Sequence, residues 1–330
     1  MNTALPAPLV FFHILADRDG KPNGLLFDAD GAEGDALQAL FDEEGFAGLS
    51  TSMDCYFRET TAPELAAALT ALHWKQMVPG TLFRSDDQLV GTFLPPTATH
   101  VDGNWCMAPP PKAVGPQAAS RALALQLVQL VAADADTHEI EALLRHDPTL
   151  SYHLLKLVNS LGMGSSRKIT SFSQAILILG RAQLRRWLNL MLFAARQGDP
   201  RSAMLLARVA VRARALELLA KARGLDKSAQ EQAFMTGMFS LLGTLFGMDL
   251  PDVLKPLAIA DAVAGALLRH EGELGHLLVL IEHAERGELP VVARQLAALQ
   301  IDCADFNNAM VDATTWMMGT VRESQGTANG

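Results

Sequence analysis

The densest set of ligand-capable side chains in this 330-residue sequence is His270, Glu271, His276, Glu282 and His283. A helical metal site needs two imidazoles one turn apart with a carboxylate between them, as in His-Glu-x-x-His, so that all share a face. Here His270 and His276 are six apart, with Gly272 and Gly275 between them. His276 and His283 are seven apart and do share a face, but two imidazoles and an unplaced carboxylate do not close a coordination sphere. The set reads as the polar side of an amphipathic helix. His146 and His153 are also seven apart, yet Pro148 starts a new helix between them, so they read as a boundary residue and a surface residue. A nucleophilic Ser160 would need a histidine base and an oxyanion site that its neighbours do not offer. No G-x-x-x-x-G-K-[ST], G-x-G-x-x-G or G-x-S-x-G motif is present, and no CxxC pair.

Charge supplies a second candidate. Between Arg181 and Arg223 stand ten basic residues against only Asp199 and Glu217, in a chain whose formal net charge is −9. Arg181, Arg185, Arg186, Arg208 and Arg212 are therefore candidates for docking an anionic partner: an acidic protein surface, a nucleotide, or phosphates. The competing reading is a solvated face whose arginine stems cover apolar surface. The arginines are not interleaved with aromatic residues in the way single-strand binders need, so nucleic acid is not expected as a partner.

These candidates must be positioned by elements that the residue pattern outlines. Asp147-Pro148 is a helix start: the carboxylate accepts from first-turn N–H groups, and proline loses nothing at the first helical position. Leu150, Leu154, Leu157 and Leu161 then share one face before Gly162 and Gly164. Ser171 and Gln174 have capping-box spacing for a short helix that Gly180 ends, and Leu184, Trp187, Leu188, Met191 and Leu192 stripe a third. Downstream, 201–223 reads as a long helix with Leu205, Val209, Leu216 and Leu219 inward, and 230–247 as another. Pro251 and Pro290 suit first turns, and Asp305 precedes a last helix with Met310, Ala313, Trp316 and Met317 on one side. Upstream, Leu9 to Ala16, a turn at 17–23 and Gly24 to Asp28 make a hairpin. A helix over 33–44 ended by Gly45, a strand within 49–57, a helix over 63–73 and strands within 77–83 and 88–94 complete a mixed α/β order. The proline-rich run 108–117 can continue neither a helix nor a central strand and reads as a linker with few contacts across it.

The run DPTLSYHLLKLVNSLGMGSSRKITSFSQAILILGRAQLRRWLNL, with DP, LLKLVNS, I-T-S and AI-x-x-LG in order, resembles the front of an HDOD domain. That is an all-helical signalling module related to HD-type metal phosphohydrolases. The segment from Phe234 to Glu288 is similar to the rear of HDOD domains in two-part proteins whose other half is an EAL-type domain, and the likeness spans roughly 116–287. In the resemblance, Asp147, Pro148, Asn159, Ser160 and Gly180 are structural motif residues, and the family's His-Asp metal dipeptide falls on Ser240 and Leu241. Leucine cannot ligate a metal, and serine without a carboxylate neighbour is a poor ligand. The opening FFHILADRDGKPNGLLFDADG resembles the first hairpin of EAL-type domains, which bind or hydrolyse cyclic di-GMP in a (β/α) barrel, and GNWCMAPP resembles its closing strand. About 115 residues precede the helical part, against roughly 200 for a full barrel, and no Glu-Ala-Leu or DDFG-like acidic run is present.

Apolar residues make up 49% and aromatic residues only 6%, which favours helix packing. Cys55, Cys106 and Cys303 are widely spaced and expected to be reduced. No 18-residue apolar run and no secretion signal is seen, so the location expected is cytoplasmic, with no membrane partner. The expected fold class is α+β: a degenerate EAL-like α/β domain over 1–107, a linker over 108–117, an HDOD-like all-α domain over 118–323 and a tail over 324–330. The function expected is a non-catalytic, bacterial-type signal-transduction module that recognises another signalling protein, without metal or cofactor. The alternatives are an HD-type metal-dependent phosphohydrolase or a regulator that binds cyclic di-GMP or another nucleotide.

Overall fold

A computed structural model of the chain describes residues 8–30, 37–87, 89, 93–110, 125–133, 135–145, 186, 188–189, 193, 199–257 and 259–325. The chain opens with the hairpin of β1 (Leu9–Ala16) and β2 (Pro22–Asp30), turned at Asp17, whose carboxylate accepts from the amides of Asp19 and Lys21. Phe12 stands opposite Phe27 and His13 opposite Leu26. Short helices α1 (Gln38–Phe41) and α2 (Glu44–Ser52) lead to β3 (Asp54–Phe57), and α3 (Pro63–Ala71) leads to β4 (Lys75–Gln76). β5 (Leu82–Arg84) and β6 (His100–Asp102) finish the sheet, whose order is β4-β3-β2-β1-β6-β5. β1 runs antiparallel to both neighbours, while the β2–β3, β3–β4 and β5–β6 pairs are parallel.

The two edge strands are consecutive in sequence, which sets the sheet's shape. From Gln76 to Leu82 the backbone reaches about 22 Å at full extension. A flat six-stranded sheet separates its edges by about 24 Å. The amide of Thr81 also turns back to the Val78 carbonyl, shortening the path. The sheet is therefore rolled into a half-barrel. One face carries Phe12 and Phe27 against Phe46 of α2 and Trp74, with Phe46 and Trp74 stacked at 5.5 Å.

Two expectations are corrected here. The sequence 44–52 is helix, not the end of one helix and the start of a strand: the chain breaks at Asp42 and restarts at Glu44, so that Phe46 and Leu49, three apart, both enter the core. Gly45 lies in that first turn, where any side chain would press on Val311 at 3.2 Å. A strand at His100–Asp102 replaces the closing strand read at 103–110, where the chain instead makes a 3-10 turn, Trp105–Met107. The strand read at 88–94 falls largely outside the described residues.

The C-terminal region is helical. After α4 (125–132) and α5 (Thr137–Arg145) come α6 (Ser202–Ala222), α7 (Lys227–Phe239), α8 (Leu242–Phe246) and α9 (Leu250–Leu254). Then follow α10 (Asp261–Arg269), α11 (Gly272–Glu285), α12 (Leu289–Leu299) and α13 (Cys303–Gln325). Asp226 caps α7 by accepting from the Ala229 amide, and Pro251 and Pro290 sit in first turns, where the missing N–H costs nothing. The helix read over 230–247 is two helices, broken at Ser240-Leu241. α6 and α7 cross closely enough that a Cβ on Gly237 would stand 2.4 Å from the Ala213 Cα.

The sheet and the helices share one apolar core. Val10, Phe11, Phe12 and Phe27 of the sheet belong to the same buried cluster as Leu205, Val209, Leu280, Phe306 and Val311. Few contacts were expected to cross the proline-rich run; instead α6, α11, α12 and α13 all contact β1. Among the described residues no helix is long and apolar enough to cross a membrane.

Candidate functional site

Arginines lie along α6 and at its N-cap. Arg201, Arg208 and Arg212 are spaced seven and four apart, and Leu205, Leu216 and Leu219 fall on the same register. They ride on the apolar stripe rather than beside it, and that spacing was the signal that Arg201 and Arg212 are buried.

Arg212 is 4% exposed. It donates to both carboxylate oxygens of Glu285, at 2.8 and 2.5 Å, and to the hydroxyl of Ser240 at 2.8 Å, with Glu282 3.7 Å away. Ser240 in turn donates to the Gly237 carbonyl at 2.7 Å. Burial pushes the Glu285 carboxyl up, but the guanidinium of Arg212, helped by Arg208 and Arg286, outweighs it and holds the group below its ordinary value. Burial acts on Arg212 in the opposite sense and is outweighed in turn by Glu285, so both remain charged. Ser240 thus ends α7 as the acceptor of a buried cation, and its neighbour Leu241 is 1% exposed in the core.

Arg208, Arg186 and Arg214 also bond acceptors within the chain. Arg208 donates to the Gly103 carbonyl at 2.6 Å and to the Asn104 side chain at 3.0 Å. Arg186 pairs with Glu217 at 2.6 Å and lies over the Phe234 ring at 4.4 Å; Arg214 takes the other Glu217 oxygen at 2.6 Å. Arg186, Arg208 and Arg212, three of the arginines read as docking candidates, each bond an acceptor inside the chain. Arg181 and Arg185 lie outside the described residues, as do Asp147, Pro148, Asn159, Ser160 and Gly180.

The histidine set does not converge. His270 ends α10 in a left-handed conformation, φ +55°, and reaches Glu282 only at 3.7 Å. His276 is exposed, and His283 bonds Glu288 beside Arg286. Gly272 and Gly275 do not interrupt this region: Gly272 begins α11, and Gly275 lets it pass against the His270 backbone, where a Cβ would stand 2.2 Å from the carbonyl carbon. Among the described residues no three His, Cys, Asp or Glu side chains are gathered to hold a metal.

A polar junction that sequence reasoning missed lies between the sheet and the helices. Phe11 and His13 of β1 and Asp102 of β6 meet Arg208 and Val211 of α6 and Glu285 of α11 around a cavity of about 30 Å³. His13 bonds Asp28 at 3.1 Å, and Gly287 (φ +74°) would place a Cβ 3.5 Å from that carboxylate. The His13 hydrogen bond holds Asp28 below the usual carboxylate range, against the effect of its burial. Nothing in the local sequence around residues 13, 28 and 287 marks them as neighbours.

Comparison with known proteins places an HDOD domain over residues 116–258, where that family's model matches. The chain is 33% identical over 195 residues to the cyclic di-GMP phosphodiesterase CdgJ of Vibrio cholerae, covering 59% of this chain and 45% of that protein. It is 29% identical over 175 residues to the uncharacterized protein YuxH of Bacillus subtilis, covering 52% of this chain and 42% of that one. The chain therefore spans less than half the length of either relative. A crystal structure named "Putative phosphohydrolase", from Shewanella amazonensis SB2B, superposes with a TM-score of 0.45 at 15% identity, covering 61% of this chain and 93% of that one. The expectation that the protein is not an enzyme is corrected by the V. cholerae relative, which bears the name of a phosphodiesterase.

Proposed function

We propose that the protein is a cytoplasmic signalling module of cyclic di-GMP pathways, which recognises another signalling protein through the helical region that holds its HDOD domain. The observation that carries this reading is the HDOD match over 116–258 together with a relative named for cyclic di-GMP chemistry. The N-terminal half-barrel is, in this proposal, a shortened EAL-like part. Its first strand runs antiparallel to both neighbours, whereas the other strand pairs are parallel. Cys55, Cys106 and Cys303 are all free, in keeping with a reducing compartment.

A second reading, hydrolysis of a cyclic dinucleotide, is favoured by the name of the V. cholerae relative. It requires metal ligands other than Ser240 and Leu241, because the first accepts from Arg212 and the second is buried among apolar side chains. One experiment separates the two. The purified full chain is incubated with cyclic di-GMP and Mg, Mn or Fe(II), with and without chelator, and nucleotide binding is measured by calorimetry in parallel. Turnover abolished by chelation establishes the hydrolase. Capture of a signalling protein that the nucleotide modulates supports the recognition module, whatever the outcome for turnover.

A further inference from the structure

The strand β6 ends at Asp102, and the segment from Gly103 to Pro110 then crosses onto the helical region. Arg208 of α6 and Arg201 at its N-cap hold it there by its main chain. Arg208 takes the Gly103 carbonyl at its start. Arg201, 2% exposed, donates to the carbonyls of Cys106 and Ala108 and also to Thr244 of α8 at 3.3 Å. The Asp199 carboxylate fixes the Arg201 guanidinium from behind at 3.0 and 2.8 Å. The far end rests on α8: Gly247, in the left-handed conformation at φ +60°, packs against Pro110 so closely that a Cβ would stand 2.5 Å from its ring. The near end is equally tight, since a Cβ on Gly103 would stand 2.3 Å from the Ser85 carbonyl oxygen. The β1–β2 turn closes on the same place, with Gly20 against the Pro200 carbonyl and the Trp105 ring.

We propose that Gly103–Pro110 is a strap, clamped by Arg201 and Arg208, that couples the half-barrel to the Ser240–Gly247 corner of the helical region so that the two respond as one body. The clamp reads carbonyls, so it holds the position of the strap rather than any side chain of it. It is a single connected path: β6 into the strap, the strap into Arg201, and Arg201 into the carbonyl of Thr244 on α8. A change at the half-barrel that draws β6 by an ångström either moves α8 with it or breaks the charge-assisted hydrogen bonds of the clamp. This goes beyond the recognition reading and does not depend on it, because it concerns only how motion passes between the two parts.

The test uses the full chain with Arg208→Gln, Arg201→Lys and Gly247→Ala, and Gly224→Ala as control. Gly247→Ala pushes on Pro110 without touching either arginine. Gly224 has φ +76° and open space around it, so its alanine variant carries the same backbone strain with no strap contact. Hydrogen exchange and calorimetry are read together. Exchange is expected to rise roughly tenfold at 103–108, at His100–Asp102 and at Leu242–Phe246 in the three strap variants, as follows from loosening one charged hydrogen bond. All four variants should still melt in one transition, because the sheet and the helices share a core, and Gly224→Ala should loosen only the end of α6. Faster exchange confined to the strap, with β6 and α8 unchanged, would overturn the coupling. So would the same pattern in Gly224→Ala as in Gly247→Ala.

Discussion

The amide of Val10 donates to the side-chain oxygen of Asn307 at 2.9 Å, and the nitrogen of that side chain donates back to the Pro8 carbonyl at 2.9 Å. The first strand and the last helix are thus joined across 297 residues by a side chain that imitates a neighbouring strand. Asn307 is 4% exposed, so water cannot substitute for it.

Replacing Asn307 with alanine leaves the Val10 amide and the Pro8 carbonyl without this partner. The expected cost is about 2–4 kcal/mol, read as a lower midpoint in urea with an unchanged slope. The same reasoning bears on truncation. A fragment starting near residue 112 lacks Val10, Phe11 and Phe12, which share the core of α6 and α13, and is expected to aggregate or melt without cooperativity. A soluble, cooperatively folding fragment would show the shared core to be dispensable.

The Arg212–Glu285 pair predicts an asymmetry between single and double substitution. Arg212→Met strands a buried carboxylate and should cost about 3–5 kcal/mol, whereas Arg212→Met with Glu285→Met should recover most of it. Its pH dependence has a definite sign. Glu285 and Asp28 both titrate below their ordinary values in the folded chain, so their contribution is complete above about pH 4.5 and is lost as pH falls through each folded value. Unfolding curves at pH 7, 5, 4 and 3 should show a steeper acid loss in the natural chain than in Asp28→Asn.

Thiol reactivity should be ordered by burial. Burial, with the charge of Asp54 adding to it, pushes the Cys55 thiol up to about 12, and burial likewise raises Cys106. Cys303 is only partly buried, so burial raises its thiol without closing it off. With a chromogenic disulfide reagent at pH 8, Cys303 should react first in the native chain, and Cys55 and Cys106 only on unfolding. Labelling mapped by mass spectrometry decides the order, and early modification of Cys55 would contradict the packing of β3.

At the α6–α7 crossing, Gly237→Ala places a methyl group 2.4 Å from the Ala213 Cα and 2.7 Å from its nitrogen. Backbone cannot swing aside as a side chain can, so the helices must part. The expected loss is about 1–3 kcal/mol or more, seen as a fall in melting temperature. Gly48→Ala, with open space around it and an ordinary φ, should be neutral or slightly stabilising.

Local pattern made a good part of the fold legible. The hairpin lies at the apolar run 9–16 and the turn residues after it, with its second strand starting at Pro22, the helix at Pro63 starts at its proline, and α6 runs from Ser202 to Ala222 with Leu205, Val209, Leu216 and Leu219 buried. The HDOD motif read in the helical part corresponds to a family match over 116–258. Each of these signals is short-range: capping, proline geometry and hydrophobic period act within a few residues.

What the sequence determined by itself is the opening hairpin, the long helices with their apolar faces and the presence of the HDOD motif, because those follow from interactions between residues close in the chain. The tertiary structure alone decided where the charges go. Ten basic residues in a 43-residue stretch look like a surface from composition. Whether a guanidinium meets solvent or Glu285 depends on a helix 73 residues away. The three-residue β6 is equally invisible in isolation: it is a strand because Val101 reaches Ala16 and Phe83, and those partners come from distant parts of the chain. The shared core has the same origin, since only folding brings Asn307 to Val10, and no local propensity encodes a contact across 297 residues.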